Sequence, residues 1–298
     1  MILVVGATGM LGGMITKHLL AQGQQVRILV RRNSPSEALA AQGMATAAGT
    51  LVDAGARPVY GDMKDQASLG RAMVDVDTVL TTANSALRGG EDNPETVEYQ
   101  GNRWLIDAAK AAGVKHLIFT SVLGADPASP VPFVRGKAEA EACLRESGLT
   151  YTILSPNMFA EVWVGLMVGA PLQAGQPVTL VGEGKRVHAF VSIADVAAFA
   201  AAAVDNPAAR NATIAVGGPE ALSWRDIVAG VGQVIGREIP VRFVQPGEPL
   251  PFLPEAVQGA AAMQDSYDSP VPMGGTAATY GVTPTPMLTV LQRMFGAH

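Results

Sequence analysis

The chain has 298 residues, 48% of them hydrophobic, and its 26 acidic and 21 basic residues give a net charge of −5. This length permits a large hydrophobic core, and no apolar run approaches the roughly 20 residues of a membrane-spanning helix. The acidic balance, without a block of basic residues, argues against a nucleic-acid partner.

The single cysteine, Cys143, excludes an internal disulfide, and the scattered histidines predict no metal site. The chain begins directly on an apolar strand rather than on a secretory signal, so we expect a cytoplasmic protein without membrane contact. Its partners are then expected to be small molecules, and the sequence leaves a homo-oligomer open.

Short β-rich runs alternate with helical stretches through the first half of the chain. This alternation is typical of a parallel sheet covered by helices on both faces. The predicted strands are Ile2–Val5, Gln25–Val30, Pro58–Tyr60, Thr78–Thr81, His116–Thr120 and Tyr151–Ser155. The first helix is predicted from Met10, because apolar residues recur at offsets of three and four as far as Leu19. The Ala- and Gly-rich stretch 38–56 is also expected to be helical.

After Pro156 the pattern loosens, because Gly and Pro interrupt an apolar segment that has the character of a pocket cover. Regular elements then return. We predict strands at 187–191, 213–216 and 241–244, and helices at 194–204, 223–235, 254–263 and 287–295. The first of these helices begins with Ser192 and Asp195 at the spacing of a capping box.

Three glycines, Gly6, Gly9 and Gly12, lie between the first strand and the first helix. At this spacing the first glycine permits a tight turn, the second lets the backbone approach a pyrophosphate, and the third lets the helix pack closely on the sheet. The N–H groups at the start of the helix supply the anion site. Because the motif lies inside a βαβ unit, it predicts dinucleotide binding.

The end of the second strand distinguishes the two nicotinamide cofactors. An acidic residue there binds the adenine ribose hydroxyls of NAD, whereas an arginine suits the 2′-phosphate of NADP. Arg31 and Arg32 stand at this position, and no acid follows before Glu37. The cofactor is therefore expected to be NADP(H), bound chiefly by Arg31, with Arg32 either a second ligand or a solvated strand end.

Polar groups also follow the third and fourth strands. The Asp62 carboxylate could accept from the adenine amino group or cap the next helix, and the sequence does not choose between these roles. Ala83 and Asn84 follow the fourth strand at the carboxyl edge, where ligands bind in open α/β sheets. We expect their backbone to contact the cofactor.

These features resemble the atypical short-chain dehydrogenases, in the NmrA-like branch with isoflavone-reductase-like enzymes, NADPH quinone reductases and triphenylmethane reductases. The resemblance spans nearly the whole chain. It rests on the glycine motif, Arg31, Gly61-Asp62, the AAxxAGV run at 108–114, Thr120-Ser121 and SGLTYTIL at 147–154. It implies a Rossmann-type, doubly wound α/β sheet over residues 1–155. A smaller, partly interleaved substrate lobe is then expected over residues 156–298, with a substrate cleft between the two.

The chain departs from this resemblance at the catalytic tyrosine. Dehydrogenases of the parent class place a tyrosine four residues before a lysine and use it to exchange a proton with a carbonyl oxygen. Here Phe133 stands four residues before Lys137, so the general acid is missing. The role that the resemblance implies for Lys137 is to hold the nicotinamide ribose hydroxyls. Ser121, at the end of the fifth strand, could bind substrate or be satisfied by its own backbone.

The candidate catalytic residues are therefore Lys137 and Ser121. The predicted cofactor site comprises Gly6, Thr8, Gly9, Met10, Leu11, Gly12, Arg31, Arg32, Asp62, Met63, Ala83, Asn84, Lys137 and Pro156. The predicted substrate pocket comprises Leu123, Phe133, Met158, Phe159 and Trp163, although each of these apolar side chains, taken singly, is more typical of ordinary core.

Loss of the tyrosine favours acceptors whose reduced product needs no protonated alkoxide. The first hypothesis is thus an NADPH-dependent reductase of a quinone, iminium, enone or similar conjugated acceptor. The alternative is an NADP(H)-binding redox sensor with little turnover, which the missing tyrosine also fits. A sugar-nucleotide epimerase or dehydratase is disfavoured, because those enzymes resemble the tyrosine-bearing pattern.

Overall fold

A computed structural model describes residues 1–32, 36–41, 43, 45–86 and 88–296. The chain divides into two compact units. The first comprises Met1–Ser155, Val196–Ile214 and Tyr280–Val282, and the second comprises Pro156–Asp195, Ala215–Thr279 and Thr283–His298.

The strands, in chain order, are β1 Ile2–Val5, β2 Val26–Val30, β3 Arg57–Tyr60, β4 Thr78–Thr81, β5 His116–Thr120, β6 Tyr151–Pro156, β7 Val178–Val181, β8 Val187–His188, β9 Ala212–Val216, β10 Leu222–Ser223 and β11 Val241–Val244. The α-helices are α1 Met10–Ala21, α2 Ser36–Ala41, α3 Ala48–Asp53, α4 Gln66–Ala72, α5 Asn102–Ala111, α6 Pro132–Glu146, α7 Ala160–Val164, α8 Ala170–Gln173, α9 Ile193–Asp205, α10 Trp224–Ile235, α11 Glu255–Met263, α12 Gly274–Tyr280 and α13 Met287–Phe295. Two π-helical segments, Pro94–Gly101 and Gly165–Gly169, and two 3₁₀ turns, Pro207–Ala209 and Gln264–Ser266, complete the described elements.

One sheet of the first unit has the strand order β3-β2-β1-β4-β5-β6-β9, and its first six strands run parallel. Every residue of β1, β4 and β5 is buried, as expected for central strands with helices on both faces. The order reverses between β1 and β4. That reversal opens a crevice at the carboxyl ends of these two strands, which is where ligands bind in this architecture. The predicted Rossmann-type α/β class is confirmed.

The core of the first unit packs helices against the parallel sheet. Leu3, Leu117 and Phe119 of the strands lie in one buried cluster with Leu105 of α5 and Leu144 of α6. The cluster holds the strands in place. As a result, the loops at their carboxyl ends project from a rigid base.

The second unit has its own apolar core, to which Val164, Phe190 and Trp224 contribute. Within it β7 pairs in parallel with β11, and β8 pairs antiparallel with β10. No helix of the described residues is both long and apolar enough to cross a membrane. Nor does any group of three or more His, Cys, Asp or Glu side chains in these ranges form a candidate metal site.

One local prediction was wrong, one was met in part and one strand was missed. The expected strand at 187–191 is ordered as a strand only over β8, because beyond His188 the chain makes single bridges instead of a continuous ladder. The stretch 38–56, expected to be helical, contains the helix α3 and most of the helix α2. The strand β7 was not anticipated, since Gly and Pro on both sides of it obscure its four apolar and β-branched residues.

Candidate functional site

The loop between β1 and α1 has the geometry of a phosphate cradle. Gly6 has a φ of +83°, and a Cβ atom there would lie 2.8 Å from the Ala83 nitrogen. A Cβ atom on Gly12 would lie only 2.2 Å from the Gly6 carbonyl oxygen. The Gly9 N–H donates to that same oxygen at 3.0 Å. Only glycine fits at Gly6 and Gly12, so the loop and the start of α1 pack closely together. The Thr46 N–H donates to Thr8 O of this loop at 2.9 Å.

The first turn of α1 leaves its N–H groups available to a ligand. Gly9 is the N-cap and offers no side-chain hydrogen bond, and the first turn carries no acidic residue. The partial positive charge of the helix start is therefore uncompensated by the protein's own side chains. Thr8, Met10 and Leu11 flank this point, where an anion such as a pyrophosphate is stabilised.

Arg31 directly follows β2 and points toward a carboxylate in a distant loop. Its Nη1 lies 2.6 Å from Asp92 Oδ2. Asp92 also accepts from Lys64 Nζ at 2.8 Å, and Arg88 Nη1 lies 3.6 Å from Asp92 Oδ2. Arg31 is thus part of a cationic group at the end of the strands. The sequence suggested the arginine, but the contributions of Lys64, Arg88 and Asp92 were missed.

Arg32 points elsewhere. It is exposed, and its guanidinium carbon lies 4.7 Å from the centre of the Tyr60 ring, at the end of the neighbouring strand β3. The Arg32 guanidinium and the Tyr60 ring form a cation–π pair beside Arg31.

Asp62 does not cap the next helix. The N-cap of α4 is Asp65, whose side chain accepts from the Ala67 N–H. Asp62 Oδ1 accepts from the Lys64 N–H at 2.9 Å, and Ser68 bonds the Asp62 main chain. The capping role is therefore excluded, and the adenine contact stays a prediction, with buried Met63 beside it.

Lys137 lies in the middle of the first unit and is only 2% exposed. Its Nζ donates to Thr120 O at 3.0 Å and to Ala83 O at 3.3 Å. The same Nζ lies 5.0 Å from the centre of the Phe119 ring and 5.6 Å from that of Phe133. Phe133 and Lys137 share a helix face, as their spacing predicts. Lys137 thus links the ends of β4 and β5.

Two buried glutamates surround this lysine. Burial lowers the pKa of Lys137, and the negative charges of Glu98 and Glu141 act in the opposite direction. Glu141 accepts from the hydroxyl of Ser121 and from Arg145 Nη2 at 2.7 Å. The candidate Ser121 is therefore buried, and its proton is directed to Glu141 rather than to its own backbone.

Glu98 anchors the loop after β4. It is fully buried, and its carboxylate accepts from the Ser85 N–H at 2.8 Å and from the Ser85 hydroxyl at 2.6 Å. Burial raises the pKa of Glu98, although Lys137 and the Ser85 bonds counteract this effect. Glu98 stands in the π-helical segment Pro94–Gly101, an irregularity often found at functional sites. It holds in place the loop to which Ala83 and Asn84 belong.

The predicted apolar pocket residues divide between the two units. In the first unit, Leu123 and Phe133 are half-buried. In the second, Met158, Phe159 and Trp163 are also half-buried, and Met158 and Trp163 pack against that unit's core. Pro156 ends β6 and is buried. All five pocket residues keep part of their surface free of their own unit's core.

Three further polar residues of the second unit have structural partners. Glu161 accepts from Ser192 Oγ and from the Ile193 N–H, at the start of α9. Asp195 accepts from both the N–H and the hydroxyl of Thr285. His188 bonds Ser269 Oγ at 2.7 Å and Gln264 O at 3.0 Å. These contacts explain the three residues without a ligand.

Comparison with known protein families gives a match over most of the chain. The model of the NmrA-like family matches residues 1–268. The chain belongs to the NmrA-like family. This confirms the resemblance that the glycine motif and the later runs indicated.

Two NmrA-like relatives and one solved structure illustrate the range. The chain is 32% identical over 244 residues to an NAD(P)H azoreductase of Xenophilus azovorans, covering 82% of this chain and 76% of the relative. It is 30% identical over 252 residues to the photosystem II assembly factor Ycf39 of Cyanophora paradoxa, covering 85% and 73%. An NADPH-dependent quinone oxidoreductase from Escherichia coli, solved with NADPH, superposes with a TM-score of 0.77 at 24% identity, over 99% of this chain and 100% of that one. At that identity the structure shows the shared fold alone.

Proposed function

We propose that the chain is an NADPH-dependent reductase of an apolar, conjugated acceptor. An NAD(P)H-dependent reductase accords with its NmrA-like relatives, one of which is named as an azoreductase. The observation that carries the proposal is the juxtaposition of the glycine cradle with Arg31 at the next strand end. The cradle accepts a pyrophosphate, and the arginine prefers a 2′-phosphate over free ribose hydroxyls.

The residues of the first unit fit the cofactor at several points. A side chain at Gly6 or Gly12 would collide with neighbouring backbone, so these glycines let the loop and α1 pack closely, and the bare first turn of α1 offers its N–H groups. Arg31 would hold the 2′-phosphate, and Asp62 the adenine amino group. Ala83 and Asn84 would contact the cofactor through their backbone, with Lys137 at the nicotinamide ribose. When bound, NADPH would supply a hydride from its nicotinamide ring.

Phe133 directs the choice of acceptor. A carbonyl acceptor becomes an alkoxide that needs a proton from a nearby acid, and Phe133 has no hydroxyl to donate. Quinones, azo compounds, iminium ions and enones accept a hydride to give neutral or delocalised products that take up protons from water. We therefore assign these acceptors to the site. The aromatic ring of Phe133 would then supply an apolar, water-excluding surface for the acceptor.

Lys137 serves this reaction through position and charge. Its two carbonyl contacts fix the ammonium between the ends of β4 and β5, and its remaining N–H can bind a ribose hydroxyl. Burial lowers the pKa of this ammonium, and the negative charges of Glu98 and Glu141 counteract that effect. Ser121, bonded to Glu141, positions the neighbouring strand end in this proposal and has no direct part in proton transfer.

The test is the initial rate of NADPH oxidation with a panel of quinones, azo dyes, iminium ions, enones and simple ketones. NADH serves as the matched cofactor control. We expect acceptor-dependent oxidation with the conjugated compounds, much slower oxidation with ketones, and a preference for NADPH over NADH. Faster reduction of ketones than of quinones or azo dyes would refute the proposed acceptor class.

The second candidate is an NADP(H)-binding regulator with little turnover. It is favoured by the absence of the tyrosine at Phe133 and by a relative that is named as an assembly factor rather than by a reaction. Tight NADPH binding with no turnover on any member of the panel would support this function.

A further inference from the structure

Four side chains from three loops meet at the carboxyl ends of β2, β3 and β4. We call Arg31, Lys64, Arg88 and Asp92 the Asp92 cluster. Lys64 and Arg31 each donate to a different oxygen of the Asp92 carboxylate, at 2.8 and 2.6 Å, and Arg88 approaches at 3.6 Å. The Asp92 side chain is 15% exposed, whereas the three cations keep between 25% and 36% of their surface. The carboxylate is thus enclosed by cations that still face solvent.

The cluster carries more positive charge than Asp92 neutralises. Three cations face the Asp92 carboxylate, and the negative charge of Asp62 also acts on Lys64 and Arg88. Glu91, 3.8 Å from Lys64, is 96% exposed and contributes little. Burial and the repulsion of Arg31 lower the pKa of Arg88. Burial opposes the ionisation of Asp92, but the bonds from Lys64 and Arg31 outweigh it and hold the pKa of Asp92 below its usual value. The site therefore favours a group with a larger negative charge than one carboxylate.

The position of the cluster indicates which anion this is. Arg31 follows β2, Lys64 follows β3 and Arg88 follows β4, so all three lie at the edge of the sheet that binds ligands. A phosphate monoester carries between one and a half and two negative charges at neutral pH and has three acceptor oxygens, about one for each cation. Asp92 offers two oxygens to the same three donors.

Asp92 lies at the end of a turn whose backbone hydrogen bonds are long. Gly89 and Gly90 have φ values of +110° and +63°, and the two backbone bonds between Gly89 and Asp92 are long, at 3.2 and 3.3 Å. The turn is also bonded to the segment that follows, because Asn93 Nδ2 donates to Gly90 O at 3.2 Å and Thr96 Oγ1 donates to Glu91 O at 2.6 Å. The Asp92 side chain can leave the cations by rotating about its own bonds, while the backbone of the turn stays bonded to the Pro94–Gly101 segment.

We propose that Lys64 and Arg88 join Arg31 as ligands of the 2′-phosphate of NADPH, and that Asp92 is an internal anion which this phosphate displaces. The inference rests on the proposed use of NADPH. Asp92 keeps the three cations together in the free protein, and it competes with the phosphate for them. The Asp92 carboxylate thereby sets the selectivity for NADPH over NADH.

The first experiment removes the competing charge. Asp92→Asn should tighten binding of NADPH and of adenosine 2′-monophosphate about tenfold, because a like charge next to the phosphate is lost. Binding of NADH and of adenosine 5′-monophosphate should stay within about twofold, as neither carries a 2′-phosphate. Dissociation constants are measured by isothermal titration calorimetry at fixed ionic strength. The control is Asp75→Asn, which makes the same change of charge at an exposed residue before β4, at the opposite end of the strands.

The second experiment removes the proposed ligands one at a time. Lys64→Gln and Arg88→Gln should each weaken NADPH about tenfold or more, the usual cost of a lost charged hydrogen bond, and should leave NADH within about twofold. Each should also reduce the salt dependence of NADPH binding. Arg71→Gln, at an exposed arginine near the end of α4, is the control and should change neither affinity.

The outcomes separate the two proposals. Weaker NADPH binding by Asp92→Asn would mean that Asp92 orients the cations rather than competing for them, and would overturn the inference. Equal losses for NADPH and NADH in Lys64→Gln and Arg88→Gln would overturn it as well. If either result is obtained and the wild-type protein still oxidises NADPH, only this inference is overturned and the proposed function is retained. A wild-type protein that binds neither cofactor would overturn both proposals.

Discussion

Gly12→Ala tests whether the glycine loop is as close-packed as the structure shows. The added methyl carbon would lie 2.2 Å from the Gly6 carbonyl oxygen and 2.8 Å from Thr82 Oγ1. An ordinary contact of this kind is roughly 3.4 Å, so α1 and the loop must separate by about 1 Å. The Gly6 oxygen also accepts from the Gly9 N–H, which leaves it little freedom to yield. Overpacking of this type costs about 1–3 kcal/mol, and we expect the upper end because the clash is with backbone.

The matched control is Gly70→Ala in α4. Gly70 is exposed, and a Cβ atom there meets nothing within 4 Å. This variant should gain the helix preference of alanine, about 0.5–1 kcal/mol. Because both changes add one methyl group to a helix, the difference between their free energies of unfolding in urea isolates the clash.

The same variant should lose cofactor affinity, since the displaced loop no longer presents its N–H groups at the anion site. NADPH binding, followed by fluorescence titration, should weaken at least about tenfold in Gly12→Ala and remain at the wild-type value in Gly70→Ala. Equal free energies of unfolding and equal NADPH affinities of the two variants would contradict the close packing at Gly12.

Three further predictions concern a buried histidine and the two positions that decide the proposed chemistry. Burial, helped by Arg210, lowers the pKa of His116 to about 4, so the unfolded chain binds this proton more tightly. The free energy of unfolding should therefore fall by about 3 kcal/mol as the pH drops from about 6.5 to 4, and urea unfolding of His116→Gln should show a flatter dependence over that range. Phe133→Tyr should leave quinone and azo reduction within a few-fold and add slow ketone reduction; a large gain toward ketones would contradict our account of the acceptor. Arg31→Asp should weaken NADPH far more than NADH in titrations, and equal losses would remove the basis for the cofactor assignment.

The glycine loop and the parallel sheet could be predicted because their signals are local. A strand, three glycines and a helix stand within about 20 residues, and each element specifies its own conformation. Phe133 and Lys137 were also accessible, since one helical turn places them on the same face. The family resemblance followed from the same short motifs.

The Asp92 cluster could not be predicted, because its members come from three separate loops. Arg31 and Asp92 are 61 residues apart, and no local pattern links them. Only the parallel pairing in the order β3-β2-β1-β4 aligns the carboxyl ends of these strands and brings the three loops together. The roles of Glu98 and Glu141 could not be predicted either, because in the sequence they resemble ordinary helix residues. The packing of α6 against the Pro94–Gly101 segment brings both of them close to Lys137. Sequence specified the elements and the phosphate loop through local sterics and periodicity, whereas long-range packing decided which charges meet in the low-dielectric interior.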